Sequence, residues 1–173
     1  MPQGEIHMVH FAYKLKDLSF SKLMEVYTEG NQENGREFWP YETPAYQLAM
    51  AEQDFYDYLS QTFFAIPGAY YAVLEEGGRY VSALRMEPYQ DGLLLSALET
   101  NPGFRRSGYG KQIIQEVLAH IGEGKVYSHV SKKNIASLRT HESCGFHKIL
   151  DHAVYADGSV LTNSVTLMRE MIK

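Results

Sequence analysis

Leu98-Glu99-Thr100-Asn101-Pro102-Gly103-Phe104-Arg105-Arg106-Ser107-Gly108-Tyr109-Gly110 is the stretch that decides the fold. Upstream, Leu93, Leu94, Leu95, Ala97 and Leu98 form an apolar run that predicts a strand. Downstream, Ile113, Ile114, Val117, Leu118 and Ile121 recur at helical spacing and predict one apolar helix face. The loop between them carries Pro102, Gly103, two arginines and the pair Gly108 and Gly110. A helix N-terminus offers unpaired backbone N–H groups and the positive end of the helix dipole. Glycine at that point lets an anion approach the backbone closely. The stretch therefore reads as a cradle for a phosphate or pyrophosphate.

Two other phosphate cradles do not fit. The dinucleotide fingerprint needs a third glycine where Ile113 stands. The P-loop needs glycine at Arg105 and a hydroxyl residue at Gln112, after Lys111. What remains is Arg-x-x-Gly-x-Gly from Arg105 to Gly110, set between a strand and a helix. This resembles the cofactor motif of the GNAT superfamily of N-acetyltransferases. A second segment, Asn134 to Phe146, resembles that family's next motif. There an Asn opens a helix and a Gly-Phe pair, here Gly145-Phe146, closes it. The family often has Tyr five residues before the Phe; this chain has His141. The resemblance covers Leu93 to Arg169.

The wider chain agrees with a globular protein. It has 173 residues, 45% of them hydrophobic and 21% charged, enough to bury a full core. The formal net charge of −5 disfavours a nucleic-acid partner and suits a cationic substrate such as an amine. The single cysteine, Cys144, excludes an intrachain disulfide. The N-terminal residues are polar and do not read as a signal peptide. No apolar run approaches the roughly 20 residues that cross a bilayer. The expectation is one cytoplasmic domain over residues 1–173, without a membrane or nucleic-acid partner. Homodimers are common in the family that it resembles.

In order, the pattern predicts a strand at Ile6 to Phe11 and a helix from Leu18 to Thr28, stopped by Gly30. A polar loop is expected from Asn31 to Tyr41. Thr43-Pro44 then reads as an N-cap and first turn of a helix running to Phe63. Its expected buried side is Leu48, Ala51, Phe55, Tyr58 and Leu59. Strands follow at Ala69 to Leu74 and Arg79 to Glu87 around the Gly77-Gly78 turn, and at Leu93 to Thr100. The cradle helix, a strand at Val126 to Val130, the Asn134 helix and a hairpin of His147 to Tyr155 with Val160 to Met171 complete the chain. The strand–helix–strand unit implies a parallel pair, and the hairpins imply antiparallel neighbours. The fold class is α/β (α+β): a mixed, mostly antiparallel sheet with helices on both faces. The resemblance adds a splayed central parallel pair.

The resemblance also implies a chemistry: the amine of a small-molecule or peptide acceptor attacks the thioester of acetyl-CoA directly. Carried over, Leu98, Glu99 and Thr100 flank the pantetheine. Arg105, Arg106, Ser107, Gly108, Tyr109 and Gly110 hold the pyrophosphate, with Lys111 nearby, and Asn134 contacts the cofactor. His141, at the family's Tyr position, is the candidate acid for the departing thiolate. An imidazolium (pKa about 6.5) is a stronger acid than a phenol (about 10). The base is open. Some members place a Glu where Ser96 stands. Glu99 lies on the other strand face from Ser96 unless a bulge intervenes; His129 and a water relay are further candidates. Residues Asn31 to Tyr46 would shape the acceptor site, with Glu33, Glu37, Trp39, Tyr41 and Glu42 available. His141, Cys144 and His147 are too few and too local for a metal site, so none is expected. The aromatic residues from Tyr56 to Tyr71 read as core and pocket lining, not as a base-stacking surface. The alternative to an enzyme is a non-catalytic acyl-CoA-binding or sensing module.

Overall fold

The cradle stretch lies where a seven-stranded sheet comes apart. The computed structural model describes residues 8–172. The strands are β1 (Met8–Ala12), β2 (Tyr70–Glu76), β3 (Arg79–Tyr89), β4 (Gly92–Thr100), β5 (Gly124–Ser131), β6 (His147–Leu150), β7 (Ala153–Val154), β8 (Val160–Leu161) and β9 (Ser164–Met171). The large sheet has the order β1-β2-β3-β4-β5-β9-β6, and β7 with β8 forms a separate ribbon. The β4–β5 pair is parallel; the other pairs are antiparallel. The expected first strand keeps its C-terminal part, while Ile6 and His7 lie outside the described residues.

Five α-helices pack on the two faces: α1 (Phe20–Val26), α2 (Thr28–Phe38), α3 (Pro44–Gln61), α4 (Tyr109–Ile121) and α5 (Ile135–Ser143). On one face Ala72, Leu74, Leu84, Met86, Leu95 and Val126 meet Ile113, Ile114, Val117 and Leu118 of α4. Each of those four α4 side chains is buried, worth about 1.5–3 kcal/mol apiece. On the other face Tyr71, Val73 and Ala83 meet Leu23, Val26 and Tyr27 at the α1 end, with Leu59 and Phe63 after them.

Three expectations are corrected. The stretch from Asn31 to Phe38 is not a loop: α2 occupies it, starting at Thr28 as soon as α1 ends, so Gly30 stops no helix. The cause is tertiary. A Cβ at Gly35 would lie 2.7 Å from the Gln47 carbonyl oxygen, so this glycine is where α2 presses onto α3. The buried side of α3 also differs: Gln47 is buried with Ala51 and Leu59, whereas Tyr58 is 37% exposed. The Gln47 amide donates to the Trp39 carbonyl and so is satisfied. Finally, β6 and β9 do pair, but the short β7–β8 ribbon interrupts the expected long hairpin.

Candidate active site

The β4–β5 pair is tight at one end and open at the other. At Gly92 a Cβ would lie 2.1 Å from the Lys125 carbonyl oxygen, so only glycine allows the strands to start so close. The ladder then runs Leu93↔Val126, Leu94↔Tyr127, Leu95↔Ser128 and stops. Beyond Leu95 the β5-facing edge of β4 has no ladder partner.

A bulge accompanies the separation. Arg85 of β3 pairs with Ser96, but Ala83 pairs with Glu99, so Ala97 and Leu98 together oppose Leu84. Ala97 is left-handed, with φ 54°, a conformation that costs a non-glycine residue about 1–2 kcal/mol. The Tyr27 hydroxyl supports it by donating to the Ala97 carbonyl at 2.6 Å. Tyr71 in turn donates to the Tyr27 oxygen at 2.7 Å. Burial pushes the Tyr71 phenol up to about 12 and raises Tyr27 as well. Both therefore stay neutral hydrogen-bonding groups. The extra residue also answers the facing question: Ser96 and Glu99 share one face of the sheet.

At the open end the chain turns through Pro102 to Phe104 into α4. Gly108 is the N-cap, left-handed at φ 78°, with no side-chain cap. The first helical bond is Gln112 N–H to Gly108 carbonyl, so the N–H groups of Gly110 and Lys111 have no partner within the helix. They face a cleft of about 650 Å³. Leu98, Glu99, Thr100, Arg105, Arg106, Gly108, Tyr109, Gly110, Lys111 and Asn134 all line it. Ser107 does not line it and is exposed. The cleft also takes in Glu29 and Glu33 of α2 and Ser137 and Thr140 of α5. The sequence reading missed Glu29 because α2 was not seen; a helical register would have put Glu29 and Glu33 on one side.

Not every lining side chain is free for a ligand. Arg105 makes a two-pronged ion pair with Glu29, at 3.1 and 2.9 Å, and lies 3.9 Å from Glu99. The Tyr109 hydroxyl bonds the Glu76 carboxylate. Asn134 caps α5 through its side-chain oxygen, accepting from Ser137 N–H at 3.1 Å. Burial raises the Glu99 carboxyl above its ordinary range; Arg105 pulls it down, and Glu29 and Glu33 push it up.

A smaller cavity of about 120 Å³ occupies the closed end of the gap, lined by Ser96, Ala97, Ser128, His129 and His141 among others. His141 is only 1% exposed. Its Nδ1 lies 2.8 Å from the Ser137 carbonyl, which only accepts, so Nδ1 carries the proton. Its Nε2 then accepts from Ser128 Oγ at 2.9 Å. Burial lowers its pKa against the opposing pull of the Ser137 carbonyl. His141 is thus a neutral group whose one N–H is already used. This geometry opposes the imidazolium acid expected from the sequence.

His129 lies across the gap from Ser96 and is only partly buried. Its ring packs edge-on against Tyr155 and Tyr89, with centroids at 5.2 and 5.5 Å. The Tyr89 hydroxyl proton goes to the Val154 carbonyl, so its oxygen accepts from His129 Nε2 at 3.5 Å. That leaves Nδ1 as the free lone pair. Burial lowers the His129 pKa, which keeps the ring neutral at pH 7. Among the described residues no group of three or more His, Cys, Asp or Glu side chains could hold a metal ion, and no helix is long and apolar enough to cross a membrane.

The cradle at the α4 N-terminus borders the gap between the parallel strands, and Leu98, Asn134 and Ser137 line both. Residues 31–146 match the acetyltransferase (GNAT) family. The chain belongs to that family. No curated protein matches the sequence. Among solved structures it is similar to one from Corynebacterium glutamicum described as histone acetyltransferase HPA2 and related acetyltransferase. That match has TM-score 0.68 and 16% identity, and covers 96% of this chain and 97% of the other. It is similar to the ribosomal-protein-S18-alanine N-acetyltransferase of Escherichia coli, with TM-score 0.60, 14% identity and 96% of each chain covered. It is also similar to the PaiA N-acetyltransferase of Thermoplasma acidophilum, solved in complex with coenzyme A. There the TM-score is 0.60 and the identity 9%, with 94% of this chain and 99% of the other covered. At these identities the likeness is one of fold.

Proposed function

We propose that this protein is an acetyl-CoA-dependent N-acetyltransferase that moves an acetyl group to a primary amine by direct attack on the thioester. One observation carries the reading: the cleft at the α4 N-terminus shares Leu98, Asn134 and Ser137 with the cavity in the gap where the β4–β5 ladder ends. A diphosphate on the N–H groups of Gly110 and Lys111 leaves its attached arm beside the unpaired edge of β4. Leu98 and Thr100 then offer backbone groups to that arm, as a missing strand would. Arg106 and Lys111 supply positive charge at the cradle.

The amine must arrive neutral, and an alkylamine has a pKa of about 10. His129 is assigned as the base. It borders the closed end of the gap, is neutral and keeps Nδ1 free. Having taken the proton from the attacking amine, it is an acid strong enough to return it to a thiolate of pKa about 8.5. His141 holds Ser128 and the wall of the cavity and acts on the reaction through position.

Release of free thiol from acetyl-CoA, measured against an amine panel, tests the reading. Amine-dependent release is expected. His129→Gln is expected to lower kcat/KM by about 10²–10⁴-fold and to remove the inflection of kcat/KM that in the wild type lies below the ordinary histidine range, leaving only the rise that follows the amine's own ionisation. If Glu99→Gln removes that inflection and His129→Gln keeps it, Glu99 is the base. Tight acetyl-CoA binding with no turnover on any amine marks the alternative, a non-catalytic acyl-CoA-binding or sensing module.

A further inference from the structure

Arg85 is a mostly buried cation with no carboxylate at ion-pair distance: the Tyr71 hydroxyl stands against it, and the Glu87 carboxylate, two residues on along β3, attracts it from further off. Arg85 lies in the middle of β3, on the face covered by α3, with Tyr71 and Ser96 as its neighbours on the flanking strands. Its guanidinium carbon is 4.9 Å from the Tyr58 ring centroid, 5.8 Å from Phe55 and 5.7 Å from Phe63. Its Nε is buried and has no hydrogen-bond partner. Two exposed arginines elsewhere do find carboxylates, Arg79 at Glu25 and Arg105 at Glu29. Among the described residues no carboxylate comes within ion-pair distance of Arg85. The rings soften the burial through cation–π contact. They accept no in-plane hydrogen bonds, and a guanidinium has five N–H donors to place. Buried charge of this kind is normally paired.

Its position says what the missing anion belongs to. Ser96, one strand away, lines the cavity at the closed end of the gap, as does His129. One strand spacing is about 4.8 Å. An anion on Arg85 is therefore within one small molecule's length of the point where an attacking amine must stand.

We propose that Arg85 is the acceptor-specificity residue and receives the carboxylate of a free amino acid whose amine is acetylated. This rests on the N-acetyltransferase reading. A planar two-pronged contact with the carboxylate satisfies the fork of N–H donors, and the rings of Phe55, Tyr58 and Phe63 exclude water around it. The carboxylate fixes one end of the acceptor and so aims the amine at the gap. Amines of similar size that lack the carboxylate leave the buried Nε of Arg85 without an acceptor.

The test compares free amino acids with their C-terminal amides in the wild-type protein, by thiol release from acetyl-CoA. The acids are expected to show KM lower by about ten- to a hundredfold than their amides, the range for hydrogen bonds to a charged group. Arg85→Gln is expected to erase that ratio, raising KM for the acids and leaving the amides almost unchanged. Arg85→Lys, which keeps the charge and loses the fork, is expected to recover only part of it. Wild-type protein that uses amides as well as acids overturns the proposal while leaving acetyl transfer intact. Equal losses for both acceptor types in Arg85→Gln also overturn it, because they mark a purely structural side chain. Acetyl-CoA binding with no amine acetylated overturns it through the failure of the underlying reading.

Discussion

Gly108 and Gly110 serve the cradle for different reasons. Gly108 needs its freedom of φ: it is left-handed, and a Cβ there would meet nothing within 4 Å. Alanine at Gly108 should therefore cost about 1–2 kcal/mol of stability from backbone strain alone. Gly110 is helical, and its Cβ would make ordinary contacts with Thr140 at 3.6 Å and Thr100 at 3.7 Å. Gly110→Ala should fold at least as well as the wild type, since alanine is the better helix former by about 1 kcal/mol. Its methyl would nevertheless enter the cleft and weaken acetyl-CoA binding. Urea unfolding beside calorimetric titration separates the two effects, and a fully stable Gly108→Ala would contradict the strain argument. His141 sets a pH dependence. Burial lowers its pKa in the folded state, while in the unfolded chain it titrates near 6.5. As pH falls below about 6.5 the unfolded chain gains a proton that the folded one refuses, so stability is lost down to the lowered folded value. The slope in that window is at most about 1.4 kcal/mol per pH unit. Urea unfolding between pH 7 and 5 should show that slope in the wild type and a shallower one in His141→Gln; equal slopes would contradict it.

The β4 bulge is the element that makes the site, and a side chain from another element holds it. Tyr27→Phe removes the donor to the Ala97 carbonyl and the acceptor for Tyr71. Leaving those buried groups unpaired should cost about 1–3 kcal/mol. The more telling result would be a several-fold rise in KM for acetyl-CoA, because the bulge sets the edge that the cofactor arm must meet. Unchanged KM with lowered stability would show that the bulge holds its shape without the tyrosine. The sequence raised a bulge between Ser96 and Glu99 only as a condition and did not place it: Ala97 is not a residue that signals a left-handed turn, and its partner is distant in the chain. The strand, turn and helix around the cradle, by contrast, were legible. The strand run, the glycines and the Ile113-to-Ile121 face are local patterns, and local rules govern them. The polar helix α2 stayed hidden because Gly30 and Gly35 weaken its signal, and the reason for Gly35 is contact with Gln47. The same limit applied to His141. Its spacing from Phe146 pointed to the site, but its partner Ser128 stands on another strand, and that partnership decides its protonation.

At the scale of the molecule the sheet is continuous from β1 to β6 except where β4 and β5 part. A coenzyme A thioester lying in that opening would complete it, so binding should be felt as stability across both halves. Ligand at a free concentration a hundred times Kd adds about 2.7 kcal/mol, roughly 5–10 °C in Tm for a chain of this size. Hydrogen exchange should place the gain. Amides of β4 beyond Leu95 and of β5 beyond Ser128 should slow on binding more than those of Leu93 to Leu95, which are already in the ladder. The β1–β2 edge should change only through the global gain. If Tm rises while protection appears away from the opening, the thioester binds elsewhere. If protection rises at the Tyr109 to Lys111 turn alone, the diphosphate is held but the arm does not enter the sheet, and the chemistry assigned to His129 loses its substrate.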